Sequence, residues 1–249
     1  MDLGISGKVA LVTGASKGIG FGIARALAAE GARVAVSSRS RERIDQAAAQ
    51  IGAVGLVHDA SDVDRASALV EQVRDAIGPV DILVTNTGGP PGNPDALGFA
   101  RAQWEAAYRE LVLATIALLD AALPGMRERG WGRVVNVSSS AAREPIPSLM
   151  LSNVHRAGLL AGFKTIARQV AGDGVTLNTI LPGRVATDRL LDMYDSPEAA
   201  ERQAAEEVPA GRLGTVEELG AVAAFLCSVP AAYVTGTAVL VDGGLTHGY

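Results

Sequence analysis

The segment "TGASKGIG" at 13–20 carries Gly14, Gly18 and Gly20 at a spacing that suits an anion. It follows the apolar run "KVALV" and leads into an alanine-rich one. Glycines in that setting let the backbone turn sharply and bring amide N–H groups to the start of a helix, where the dipole favours negative charge. Gly14 permits the turn, Gly18 and Gly20 leave room for a pyrophosphate, and Ser16, Lys17 and Ile19 complete the loop. The second apolar run ends "VAVSSRS", which puts Ser38 and Arg39 where the adenosine ribose of a dinucleotide would lie. A carboxylate there would hydrogen-bond a ribose 2′-OH. Ser38, with Arg39 beside it and Lys17 in the glycine loop, suits a 2′-phosphate instead, since arginine binds phosphate through two N–H groups at once. The expected chemistry is therefore binding of a pyridine dinucleotide, NADP(H) in preference to NAD(H). The competing reading makes Arg39 and Lys17 solvated surface charges.

These residues need elements to hold them. Short β-branched runs alternate with helical ones: strands are expected at 8–14, 33–39, 53–60, 81–88, 132–139, 175–183 and 237–244. Helices are expected at 20–31, 41–51, 63–77, within 101–130, near 153–171 and at 215–228, with a polar helical insertion before the last of these. Apolar strands separated by helices imply a parallel sheet covered on both faces, and right-handed crossovers make it doubly wound. The ligand crevice then lies at the carboxyl ends of the strands. The fold class is α/β, a single doubly wound domain over 1–249. A closed eight-stranded barrel is the alternative, and the glycine turn after the first strand argues against it. The loop "GGPPGNPDALG" at 88–98 reads either as a stiff connection or as a substrate-facing one.

Composition removes several classes. The 249 residues carry 22 basic and 27 acidic side chains, a net charge of −5, which disfavours a basic nucleic-acid surface. One cysteine, Cys227, excludes an intrachain disulfide, and His58, His155 and His247 are too scattered for a metal set. The start "MDLGISGKVALVTG" has no signal-peptide pattern, and the longest apolar segment, 111–123, is too short for a bilayer and contains Asp120. A cytoplasmic protein with no membrane and no nucleic-acid partner is expected.

The motifs "TGASKGIG", "HDA" (58–60), "NTGG" (86–89), "GRVVNVSSS" (132–140), "ILPGRVATDRL" (180–190), "GRLGTVEELG" (211–220) and "YVTGTAVLVDGG" (233–244) resemble the short-chain dehydrogenase/reductase family across nearly the whole chain. Bacterial 3-oxoacyl-acyl-carrier-protein reductases are a subgroup it resembles. The resemblance implies a seven-stranded sheet, a homotetramer or homodimer, and hydride transfer between a nicotinamide and a small carbonyl or alcohol. It implies that Asp59 and Ala60 line the adenine and that Asn86, Thr87 and Gly88 pass behind the ribose. Pro182, Gly183, Val185 and Thr187 would hold the nicotinamide end.

The resemblance also implies a catalytic serine at Ser139. A tyrosine is then expected thirteen residues on and a lysine four after that; here these positions hold Ser152 and Arg156, in a register supported by "RAGLLAGF" (156–163). The asparagine of the long helix falls on Leu111. An aliphatic hydroxyl is a far weaker acid than a phenol of pKa ~10, and Arg156, expected above ~12, can bind ribose but not store a proton. His155, three residues after Ser152, could lean toward the same face and supply an acid of pKa near ~6.5, or pack in a helix interface. Tyr194 in the insertion, and Arg143 and Glu144 after Ser139, are further candidates; Tyr108 and Tyr233 read as structural.

The reading is an NADP(H)-dependent oxidoreductase that reduces a ketone such as a 3-oxoacyl thioester. Its rivals are a dinucleotide-binding protein without redox chemistry, and another reaction such as imine reduction or dehydration. Residues 188–208 read as a lid over the substrate. Broad apolar faces at Leu111, Leu113, Ile116 and Leu119, and at Leu159, Leu160, Phe163 and Ile166, read as subunit contacts.

Overall fold

β1 (Val9–Thr13) is apolar on both faces, as a central parallel strand must be. Its alternate side chains divide between two layers: Ala10 and Val12 pack with Ile23 and Leu27, while Val9 and Leu11 pack with Leu69 and Leu119. The computed structural model describes residues 1–248, so the final residue of the expected domain lies outside it. The remaining strands are β2 (Arg33–Ser38), β3 (Val54–Val57), β4 (Ile82–Thr85), β5 (Gly132–Val137), β6 (Val175–Pro182) and β7 (Ala238–Val241). They form one seven-stranded sheet in the order β3-β2-β1-β4-β5-β6-β7. Every adjacent pair is parallel, as expected from the alternation of strands and helices.

Helices cover both faces. α1 (Gly18–Ala29), α2 (Arg41–Ile51) and, late in the chain, the helix Val216–Leu226 lie on one; α3 (Ala66–Ile77) and two long central helices lie on the other. The region 101–130 is not one regular helix. It is α4 (Arg101–Tyr108), a π-helical turn at Arg109–Leu113, and α5 (Ala114–Glu128). α6 (Met150–Val170) starts three residues before the expected point, after a 3₁₀ turn at Pro147–Leu149. The insertion folds as α7 (Asp188–Leu191) and α8 (Pro197–Glu207), and α9 is Val216–Leu226. No helix of the described residues is long and apolar enough to cross a membrane.

The apolar faces of α5 and α6 are largely consumed within the chain. Leu111, Leu119, Leu159 and Phe163 are buried; Leu113, Ile116, Leu160 and Ile166 are left half-buried. α1 and α9 approach so closely that a Cβ on Gly22 would stand 2.7 Å from the Val216 carbonyl oxygen, and one on Gly220 would stand 2.8 Å from the Gly22 carbonyl oxygen. Gly22→Ala is accordingly expected to lower stability by about 1–3 kcal/mol, read from the midpoint of urea unfolding, because two backbones must move apart to admit one methyl group.

Candidate active site

The chain reverses its direction of winding between β1 and β4, and a crevice opens there at the carboxyl ends of the strands. Gly14 makes the first wall. Its φ of +58° is a left-handed conformation, and a Cβ on it would lie 2.5 Å from the Asn86 carbonyl oxygen. Asn86 locks this approach: its side-chain amide donates to the Gly14 carbonyl (2.9 Å), and its backbone N–H and C=O are both bonded to the Thr13 hydroxyl (3.0 Å each). Gly18, also at positive φ (+61°), opens α1. No side chain caps that end and no acid stands in its first turn, so the leading N–H groups are available to an anion.

A cleft of about 370 Å³ runs from this turn to α6. Gly14, Lys17, Gly18 and Ile19 line one end; Asn86, Thr87 and Gly88 line the side; Pro182, Gly183 and Thr187 line the floor beyond β6. Ser139, Ser152 and Arg156 close the other end. Ser139 and Ser152 stand thirteen positions apart in the chain, yet the 3₁₀ turns after β5 bring both residues to the same cleft. The Ser139 hydroxyl accepts from the Ala141 N–H (3.2 Å). Arg156 is 8% exposed; its Nε donates to the Ser152 hydroxyl (3.1 Å), Nη1 to the Val137 carbonyl (3.2 Å) and Nη2 to the Gly88 carbonyl (3.3 Å). Burial first, and the charge of Arg189 second, push the guanidinium down to about 10. That revises the expectation of an arginine fixed above ~12, although the group remains a cation at neutral pH.

Other expected residues lie elsewhere. Gly20 is not in the cleft wall; it packs against the turn itself, where a Cβ would stand 2.6 Å from the Gly14 carbonyl oxygen. Its need for glycine is close packing, not space for phosphate. Ser16 also lies outside the lining, and Val185 is buried, bridging to Gly214 and fixing the loop after β6. Ser38 and Arg39 stand at the carboxyl end of β2, beside β3, outside the cleft lining. Arg39 is exposed and makes no hydrogen bond or ion pair among the described residues. Lys17 instead pairs with Asp188 at 2.8 Å. The Asp59 carboxylate accepts from the Ser61 N–H (2.9 Å) and hydroxyl (2.8 Å), bonds that hold its pKa below the usual range with a smaller contribution from Arg39. Ala60 is half-buried next to it and does not line the cleft.

The substitute acids fail on position. His155 is buried on another face of α6, with Nδ1 2.7 Å from the Leu151 carbonyl and its ring against Trp104 and Tyr108 at 5.7 and 6.1 Å. Three residues along a helix rotate a side chain by about 60° from the starting face, enough here to turn it out of the cleft. The Tyr194 phenol is bonded to the Arg184 guanidinium. The Glu144 carboxylate accepts from the His247 backbone N–H (2.7 Å) and lies 2.9 Å from its ring Nδ1. Among the described residues no tyrosine or histidine lines the cleft, and Leu111 is buried in the π-helical turn. Two features were missed by sequence reasoning: Arg189, which reaches the cleft from α7, and the Ser138 hydroxyl, buried beside it without a partner among the described residues.

The fold and cleft define an open doubly wound α/β protein with its ligand crevice at the strand-order reversal. A family model described as "Enoyl-(Acyl carrier protein) reductase" matches residues 14–246. The chain belongs to the short-chain dehydrogenase/reductase family and is an oxidoreductase of that type. It is 36% identical to bovine dehydrogenase/reductase SDR family member 4 over 98% of this chain and 89% of that protein. It is 33% identical to the 3-oxoacyl-[acyl-carrier-protein] reductase FabG of Haemophilus influenzae, over 97% and 99%. Among solved structures it is similar to the L-sorbose reductase of Gluconobacter frateurii, complexed with NADPH and L-sorbose: TM-score 0.93, 34% identity, 100% of both chains. The 3-oxoacyl (acyl-carrier-protein) reductase of Agrobacterium tumefaciens C58, with NADP bound, gives a TM-score of 0.91 at 32% identity over 98% and 96%.

Proposed function

We propose that the chain is an NADP(H)-dependent reductase of a small ketone, a 3-oxoacyl thioester being one candidate, in which Ser152 and Arg156 stand where the family resemblance implies tyrosine and lysine. One observation carries the reading: the uncapped start of α1, behind a glycine that admits no Cβ, opens into the same cleft as Ser139, Ser152 and Arg156. Gly14, Gly18 and the first N–H groups of α1 would hold the pyrophosphate. The free guanidinium of Arg39 would hold a 2′-phosphate, and Thr187 and Gly183 the nicotinamide end. The neighbours solved with NADPH or NADP support that choice.

When bound, the reduced cofactor supplies a hydride. The protein's own part is to hold the carbonyl oxygen. Because the Arg156 Nε–H donates to the Ser152 oxygen, the Ser152 proton points away from Arg156 and is free for a cleft acceptor. Ser139, whose oxygen takes the Ala141 N–H, offers its proton in the same way. Two neutral donors before a buried cation polarise a carbonyl, and the proton that completes reduction enters from solvent through Ser152 Oγ. Residues 188–208 act as a lid, and the half-buried Leu113, Ile116, Leu160 and Ile166 form the contact of a homo-oligomer.

Loss of NADPH absorbance in the presence of a panel of ketones, aldehydes and 3-oxoacyl thioesters tests the reading. Arg39→Ala is expected to weaken NADPH about 10- to 100-fold in calorimetry while leaving NADH within about two-fold, since only the former carries the phosphate. That no phenol or imidazole lines the cleft among the described residues favours one second reading, a dinucleotide-binding protein without redox chemistry. NADPH binding without oxidation by any member of the panel selects it.

A further inference from the structure

Arg156 from α6 and Arg189 from α7 reach the same turn, Gly88–Gly89. The first donates to the Gly88 carbonyl (3.3 Å). The second lies against Gly89, where a Cβ would stand 2.6 Å from its Nη2. Both line the cleft, and each lies within the other's electrostatic reach. Neither has an acidic partner among the described residues. The three bonds of Arg156 go to neutral oxygens, and Arg189 makes none. The one carboxylate that lines the cleft among the described residues, Asp188, is taken by Lys17.

A buried cation with neutral partners only, facing a second cation, is an unfavourable arrangement unless something completes it. Both charges favour an anion between them. Of the five N–H donors on Arg156, two remain unused, and all five of Arg189 do. A guanidinium fork matches a carboxylate bidentately. Ser138, next to Ser139, also lines the cleft, and its hydroxyl is buried without a hydrogen-bond partner among the described residues. Ser152 Oγ lies 3.1 Å from Arg156 Nε, so a ketone held by that hydroxyl would lie within one or two carbons of the charge.

We propose that the substrate is an oxo acid whose carboxylate docks between Arg156 and Arg189 while its ketone lies against Ser139 and Ser152. This rests on the reductase reading above and narrows its ketone to one bearing a nearby free carboxylate. Arg189 provides the fork, and Arg156 provides the buried charge behind it.

Two acid–ester pairs decide it: acetoacetate with methyl acetoacetate, and 2-oxobutanoate with its methyl ester. Each is titrated by calorimetry into the protein saturated with NADP⁺ and into the unloaded protein. At least one acid is expected to bind about ten-fold or more tighter than its ester, the effect of one bidentate charge-assisted pair. Arg189→Gln, at an exposed position, is expected to remove that advantage while NADPH affinity stays within about two-fold and the melting temperature is unchanged. Equal binding of acid and ester, or no binding of either acid up to about 20 mM, overturns the proposal. So does an Arg189→Gln variant that loses NADPH as much as acid, since its guanidinium would then serve the cofactor's phosphates. Failure of the reductase reading is visible separately, as absence of dinucleotide binding; the titrations of the unloaded protein then decide the carboxylate site by themselves.

Discussion

Gly14→Ala is expected to weaken NADPH by about 10²- to 10⁴-fold, the equivalent of losing two charge-assisted hydrogen bonds. Two effects act together. Alanine at a φ of +58° is strained by about 1–2 kcal/mol. Its methyl group would also meet the Asn86 carbonyl oxygen at 2.5 Å, and that oxygen cannot retreat because the Thr13 hydroxyl holds it. The turn must rotate, and the N–H groups at the start of α1 lose their aim. Gly52→Ala separates strain from contact. Gly52 has a φ of +65° at the end of α2, nothing within 4 Å of an added Cβ, and no place in the cleft lining. That variant is expected to lose only the strain, about 1–2 kcal/mol, and to keep NADPH affinity within about two-fold. Calorimetric titration of both, with melting curves as the control, reads the difference. Equal losses would mean that the Gly14 turn does not form the dinucleotide site.

The features readable in the sequence were those that depend on local pattern. Short apolar runs separated by helical ones marked all seven strands, because the central strands are covered on both faces; the polar residues they do hold, such as Asn136 and Asn178, are hydrogen-bonded inside. The glycine turn was readable for the same reason: only a positive φ and a backbone contact demand Gly14. Ser139, Ser152 and Arg156 line one cleft. What escaped depends on rotation or on distant folding. His155 is close to Ser152 in number but packs on Trp104 and Tyr108, since those rings offer a larger apolar contact than the cleft. Gly20 looked like room for a ligand and is instead a close contact within the turn. The π-helical turn at Arg109–Leu113 has no signature in residue types. Arg189 could not be placed from sequence, because its arrival over Gly89 depends on where α7 settles after β6. Lys17, in the same way, is paired by an aspartate 171 positions away.

Ser152→Tyr combined with Arg156→Lys is expected to raise kcat/KM for ketone reduction by about 10²- to 10⁴-fold, the usual contribution of a positioned general acid. The geometry favours the pair over either change alone. Ser152 and Arg156 stand one turn apart on α6 and both face the cleft. A phenol at 152 carries its oxygen several ångströms further toward a bound carbonyl than a serine hydroxyl can. It meets the Arg156 guanidinium first, however, and that plane is fixed by the Val137 and Gly88 carbonyls. Ser152→Tyr alone therefore has to displace a held cation, and a smaller gain is expected. Arg156→Lys alone gives up three hydrogen bonds and gains no acid; it is expected to lose about 1–3 kcal/mol of stability with no increase in rate. Together, the ammonium is slim enough to sit beside the ring, and its charge lowers the phenol's pKa toward neutrality. Leu111 stays apolar and buried, so no polar side chain is restored there and the gain should fall toward the lower end of the range. The same double change thins the two-guanidinium wall, because lysine cannot offer a fork. Acid–ester discrimination should therefore fall while turnover of the ester rises, and steady-state kinetics on both substrates measure the two effects in one experiment. A double variant that binds NADPH as tightly as the parent and still reduces nothing would count against hydride transfer in this cleft and in favour of the non-redox reading.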